Sequence, residues 1–172
     1  SGATLINTGI LRINAGGSAV DTIVNSTSIN VPGSNGALIV NSGGLALNTT
    51  VNSGGLMNVN AGGTGSHTTI SAGGQVNLTF GSSLGGMTIG DVLIGSSGGS
   101  GTVVARETVN SGGIASGITV SSFGQLLVNN SGTAVSGTIS ALGSAIVSSG
   151  GVTSNMLVIG SGGTARAFEI VS

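Results

Sequence analysis

A glycine doublet returns along this chain at alternating steps of 11 and 8 residues, which together make a 19-residue period. Doublets begin at Gly43, Gly54, Gly62 and Gly73, and the rhythm resumes at Gly112. It then runs through the degenerate pairs Phe123-Gly124, Ser131-Gly132 and Leu142-Gly143 to Gly150. A fixed short period of this kind marks a solenoid, in which each repeat is one coil stacked on the next. The expected function therefore lies on the outside of a stack of β coils.

Composition narrows the class. The chain has 172 residues, of which 35 are Gly, one is Pro and none is Cys, Trp or Tyr. Glycine this abundant without a Gly-X-Y register excludes collagen. Val, Ile and Thr dominate between the glycines and only 4% of residues are charged, the opposite of a disordered chain. The reading is a single all-β domain over residues 1–172, with regular coils over 1–81 and 112–172 and irregular coils or an insertion over 82–111.

Cutting at the doublets gives two kinds of segment. The short kind, such as NGALIVNS (35–42) and FGQLLVNN (123–130), alternates apolar and polar residues. Leu11 and Ile13, Leu38 and Val40, Met57 and Val59, Leu126 and Val128, and Ala145 and Val147 form the apolar half of that alternation, the mark of a strand with one buried face. The long kind, such as GGLALNTTVNS (43–53) and GGTARAFEIVS (162–172), aligns three further interior columns. One holds Ala19, Ala46, Gly65, Ala115, Ala134 and Ala165. A second holds Thr22, Thr49, Thr68, Ile118, Gly137 and Phe168, and a third Val24, Val51, Ile70, Val120, Ile139 and Ile170. Each doublet is expected to turn a corner, where glycine adopts positive φ without steric cost. About eight coils of ~19 residues, stacked at ~4.8 Å, make a rod of roughly 40 Å. Two strands or three per coil both fit the period.

Chemistry is sparse. The chain carries three Arg, no Lys, four acids and one His, for a net charge of −1. Nucleic-acid binding needs a clustered basic surface, so it is not expected. No uninterrupted apolar run reaches the ~20 residues of a membrane helix, so this segment is not expected to insert in a membrane. His67 lies on the expected outer face without Cys or carboxylate neighbours in sequence, so neither metal nor general-base chemistry is assigned to it. Asp21, Asp91, Glu107 and Glu169 are too scattered for the stacked acid clusters of a polysaccharide-cleaving β-helix, although Asp91 and Glu107 could approach each other. No cofactor, catalytic residue or metal site is expected. The stretch 90–107 interrupts the rhythm and carries Asp91, Arg106 and Glu107, so it is either a plain longer loop or an excursion that contacts a partner. An outward column of Thr50, Thr69, Thr119 and Thr138 is the other candidate surface feature, interrupted at Ile23 and Glu169. Such a column suggests ice binding as a minor alternative, against the plain preference of Thr for exposed strand positions.

The segments GGLALNTTVNSGGLMNVNAGG (43–63) and GGIASGITVSSFGQLLVNNSG (112–132) resemble the 19-residue repeats of AIDA-type autotransporter adhesin passengers, the group that includes antigen 43 and TibA-like proteins. The shared pattern is SGG-x-A-x-x-T-x-V-x-x-GG-x-L-x-V. The resemblance implies a secreted, right-handed parallel β-helix displayed on a bacterial outer membrane, mediating self-association, biofilm formation or host-cell and glycan adhesion. It also implies sugar attachment to outward hydroxyls such as Thr50, Thr69, Thr119 and Thr138. An extracellular filament or matrix subunit, joined end to end through open strand edges, is the alternative.

Overall fold

The computed structural model describes residues 3–6, 9–26, 36–79, 85–98, 101–160 and 168–171. They form a parallel β-helix with three strands per coil, stacked into three sheets. Sheet I runs through Thr4–Leu5, Ile23–Val24, Thr50–Val51, Thr69–Ser71, Val92–Ile94, Thr119–Ser121, Thr138–Ile139 and Leu157–Val158. Sheet II contains Ile10–Ile13, Ala37–Val40, Leu56–Val59, Gln75–Leu78, Ala105–Val109, Gly124–Val128, Ser144–Val147 and Phe168–Val171. Sheet III contains Ser18–Val20, Leu45–Leu47, Thr64–Ser66, Met87–Ile89, Ile114–Ser116, Thr133–Val135 and Val152–Ser154. Every pairing within these sheets is parallel.

The short segments are the sheet II strands, and each long segment between residues 16 and 141 is two strands, one in sheet III and one in sheet I. The corner between those two has no doublet. It is a single residue in the left-handed region: Asp21, Asn48, His67, Gly90, Gly117, Ser136 or Asn155, all with φ between 51° and 71°. Asn and Asp tolerate this region because their short side chains bond locally, so the third corner is spelled in polar residues.

The doublets work differently from the sequence expectation. Only the first residue needs positive φ, as at Gly54 (φ 71°), and Phe123, Ser131 and Leu142 also adopt it. The second glycine is required by the neighbouring coil. A Cβ on Gly55 would lie 2.4 Å from the Val24 carbonyl oxygen, and one on Gly132 2.4 Å from that of Val109. The degenerate pairs therefore lose the first glycine and keep the second.

The interior columns assigned from sequence are buried from Ile13 to Val147, as at Val24, Val51 and Ile70 in sheet I and Leu38, Met57 and Leu126 in sheet II, while Leu11 is partly buried. Each such side chain contributes about 1.5–3 kcal/mol when fully removed from water. The tube is narrow, so large and small columns face each other. A Cβ on Gly65 would meet the Met57 terminal methyl at 2.9 Å, and one on Gly137 the Met156 methyl at 2.5 Å.

Two expectations are corrected. Phe168 and Ile170 do not continue the columns of Thr22 and Val24: Phe168–Val171 pairs with Ser144–Val147, aligning Ile170 with Ile146 and Glu169 with Ala145. A doublet stands at two different corners of the coil, so spacing alone does not say which strand follows one; Gly162, Gly163 and Ala165 lie outside the described residues. The irregular middle is also smaller than 82–111. Strands at Met87–Ile89, Val92–Ile94 and Ala105–Val109 keep their sheets, and an antiparallel hairpin, Ser96–Gly98 with Gly101–Val103, replaces one corner.

Candidate functional site

Two places depart from a plain repeat: the outer faces of the sheets, and a polar cluster sealed inside the tube.

On sheet I the outward column reads Thr4, Ile23, Thr50, Thr69, Val92, Thr119, Thr138 and Leu157 in register. Thr50, Thr69, Thr119 and Thr138 are half-buried and stand as two adjacent pairs. Ile23 interrupts the column as expected, but Glu169 is not in it; Val92 and Leu157 are the further interruptions.

Sheet III presents an outer face of mixed apolar and hydroxyl residues. Its two outward columns include Leu45, Met87, Ile114 and Val152 in one, and Leu47, Ile89 and Val135 in the other. Ile89 (39% exposed), Ile114 (36%) and Val152 (52%) are open to solvent. Thr64, Ser66, Ser116, Thr133 and Ser154 alternate with them, and neither column carries a charge. Three-strand coils hid this face, because a strand was merged with its neighbour when the long segment was read as one piece.

The corners after sheet II carry an asparagine ladder. Asn41 Nδ2 donates to Asn14 Oδ1 (2.7 Å), Asn60 Nδ2 to Asn41 Oδ1 (2.8 Å) and Thr79 Oγ1 to Asn60 Oδ1 (2.8 Å). Asn129 continues the pattern onto Asn110 at 2.8 Å. The signal was present as Asn two residues before a doublet, at Asn14, Asn41, Asn60 and Asn110. His67 is exposed at its corner, with Nδ1 2.8 Å from the Ser66 hydroxyl.

The hairpin projects from the corner between sheets I and II. Beside it lies a shallow cleft of about 350 Å³ lined by Ser53, Gly54, Gly55, Leu56, Gly73, Gln75 and Val103. Of the three residues assigned to an outward excursion, only Arg106 points out, its Nε donating to Gln125 Oε1 at 3.1 Å. Asp91 and Glu107 are corrected: both are fully buried inside the tube. The strand Ala105–Val109 alternates in and out, so Ala105, Glu107 and Val109 share the inner face.

Each of these acids is held by a different threonine. Asp91 Oδ1 accepts from the Thr68 backbone N–H at 2.9 Å, and Thr88 Oγ1 donates to Glu107 Oε1 at 2.6 Å. Asp91 Oδ2 and Glu107 Oε2 have no partner, nor do the buried hydroxyls of Thr22 and Thr49. Burial pushes the Asp91 carboxyl up to about 7, against the downward pull of the Thr68 amide and hydroxyl. Burial also raises Glu107 well above the usual carboxylate range; the Asp91 charge adds to the rise and the Thr88 hydrogen bond opposes it. Sealed inside, neither acid is presented to an external polysaccharide. Among the described residues no group of three or more His, Cys, Asp or Glu side chains is placed to hold a metal ion.

No protein-family model and no curated protein matches the sequence. Among solved structures, the chain is similar to the TibC-catalysed hyper-glycosylated fragment of TibA spanning its residues 55–350. The two are 26% identical over 98% of this chain and 69% of the other, with a TM-score of 0.51. The likeness extends over all three sheets, and the chain has the parallel β-helix fold of a TibA-like passenger.

Proposed function

We propose that this chain is a rigid segment of a secreted, cell-surface adhesive protein, and that copies associate side by side through the outer face of sheet III. The observation that carries this is the uncharged, mixed apolar and hydroxyl face built from Met87, Ile89, Ile114 and Val135, repeated at the strand spacing down the rod. Contiguous exposed apolar surface marks interaction sites on soluble proteins. Each contact is weak, but a rod offers the same contact in successive coils, so affinity comes from multivalency. Similarity to the TibA fragment supports an adhesin-like role, and that fragment's hyper-glycosylation supports Thr50, Thr69, Thr119 and Thr138 as acceptor hydroxyls here. No catalysis is assigned to the chain.

Sedimentation velocity tests the reading. The parent chain should form concentration-dependent oligomers. A double Ile89→Lys and Ile114→Lys variant should sediment as a monomer with an unchanged circular dichroism spectrum. Association that survives both substitutions would exclude sheet III as the contact.

A second reading, filament growth end to end, rests on the strands Val152–Ser154 and Leu157–Val158, each paired along one edge among the described residues. Val152 and Leu157 are more than half exposed there. Such an edge accepts a further strand. Negative-stain microscopy separates the two: continuous thin fibres support end stacking, and short rods bundled sideways support the sheet III contact.

A further inference from the structure

Three departures from the repeat lie inside the tube, and two of them touch. Glu107 occupies a column whose described side chains are Leu11, Leu38, Met57, Val76, Leu126 and Ala145. Thr88 sits in the small-residue column, between Gly65 and Ala115. Asp91 follows Thr68 in the buried threonine file. A free carboxyl in an apolar column is costly, and a buried oxygen left unpartnered calls for an explanation. The Thr88 hydroxyl is 2.6 Å from Glu107 Oε1. That contact plus one C–O bond places the carboxyl carbon no more than about 3.9 Å from the hydroxyl, within a small rotation of attack distance. The other Glu107 oxygen, Oε2, is buried without a partner, as is Asp91 Oδ2.

We propose that Thr88 and Glu107 condense to an intramolecular ester that joins sheet III to sheet II across the core. Thr88 Oγ1 attacks the carboxyl carbon of Glu107 in its protonated form, and the hydroxyl proton passes to Oε1, the oxygen it already meets at 2.6 Å. The tetrahedral intermediate then collapses as Oε1 gives its proton to the departing Oε2 hydroxyl. The Oγ1–Cδ bond forms, the Cδ–Oε2 bond breaks, and one water leaves. No oxidant, reductant or co-reactant is consumed. Holding hydroxyl and carboxyl in contact supplies the effective concentration the reaction lacks in solution. Complete burial of Glu107 and Thr88 keeps water from reversing it. The product no longer contains the buried acid and its unpartnered oxygen.

Intact mass of the denatured chain, made in a host without glycosyltransferases, tests this. The chain should be lighter than its sequence by one water, and tandem fragmentation should find the peptides carrying Thr88 and Glu107 joined. Hydroxylamine applied to the denatured chain should open the link. Thr88→Val should restore the full sequence mass, and Thr88→Ser should again lose water. Full mass in the parent chain after prolonged incubation, or a water loss that maps to other residues, overturns the proposal.

Discussion

Replacing Gly55 by Ala drives a methyl into the Val24 carbonyl oxygen of the adjacent coil, where backbone cannot yield. The same replacement at Gly16 meets nothing within 4 Å and pays only for φ 75°. Gly16→Ala should therefore cost about 1–2 kcal/mol and Gly55→Ala clearly more, read as urea midpoints on the two variants. Equal losses would mean that turn conformation, not coil approach, fixes the second glycine. Asp91 gives a second prediction at this scale. Its folded-state value is raised, so the folded chain holds a proton that the unfolded chain has released. Stability should then be greatest below about pH 4, fall by up to about 1.4 kcal/mol per pH unit as pH rises, and level off above about 7. Any Glu107 carboxyl that remains free acts in the same direction. Denaturation followed at pH 4, 5.5 and 8 should show this fall, and Asp91→Asn should flatten it. The inward positions were legible in the sequence because alternation and column alignment report them directly. The inward turn of Glu107 was not, since a charged residue in an irregular stretch reads as surface until the strand around it is placed.

At the scale of the strand and its corners, the coil absorbs length without losing register. Sheet I steps from Ile23 to Thr50 and from Thr50 to Thr69, offsets of 27 and 19 residues, yet each pair is in register. The hairpin at 96–103 is another such excursion. Replacing residues 95–105 by Ala-Gly-Gly copies the corner at 72–74 and should leave the β spectrum unchanged and the melting temperature within a few degrees, because Ala105, opposite Gly124, is the one residue of the flanking sheet I and sheet II strands that it replaces. A collapse of the fold would show that the hairpin is needed to hold Ala105–Val109 in sheet II. The corner asparagines carry more weight. Asn60 both donates to Asn41 and accepts from Thr79, so Asn60→Ala should cost about 1–3 kcal/mol. The doublets made two of the three corners readable from sequence, whereas the third is written in Asp, Asn, His, Ser and Gly and shares no spelling. That is why two strands per coil fitted the period as well as three.

For the whole molecule, exposed charge is sparse: Arg12, Asp21 and Arg106 are the exposed charged residues among those described. Lateral association through sheet III should therefore be insensitive to sodium chloride, since there is little to screen, and strengthened by sulfate, which favours apolar burial. Light scattering across both salts checks this, and dissociation on adding sodium chloride would point to an ionic contact instead. The repeat was legible at this scale from glycine spacing alone, but the apolar character of one outer face depended on knowing where the third sheet begins.

The unequal offsets between stacked strands have a mechanical corollary. Tension applied along the rod loads the coils in series, so they should peel one at a time from an end, each releasing its own length of chain. At about 3.3–3.6 Å per residue, a 19-residue coil gives about 65 Å of extension and the 27-residue steps about 90–95 Å. The order of those lengths in a single-molecule force trace would read the register of the stack as a barcode, and would show from which end it yields first.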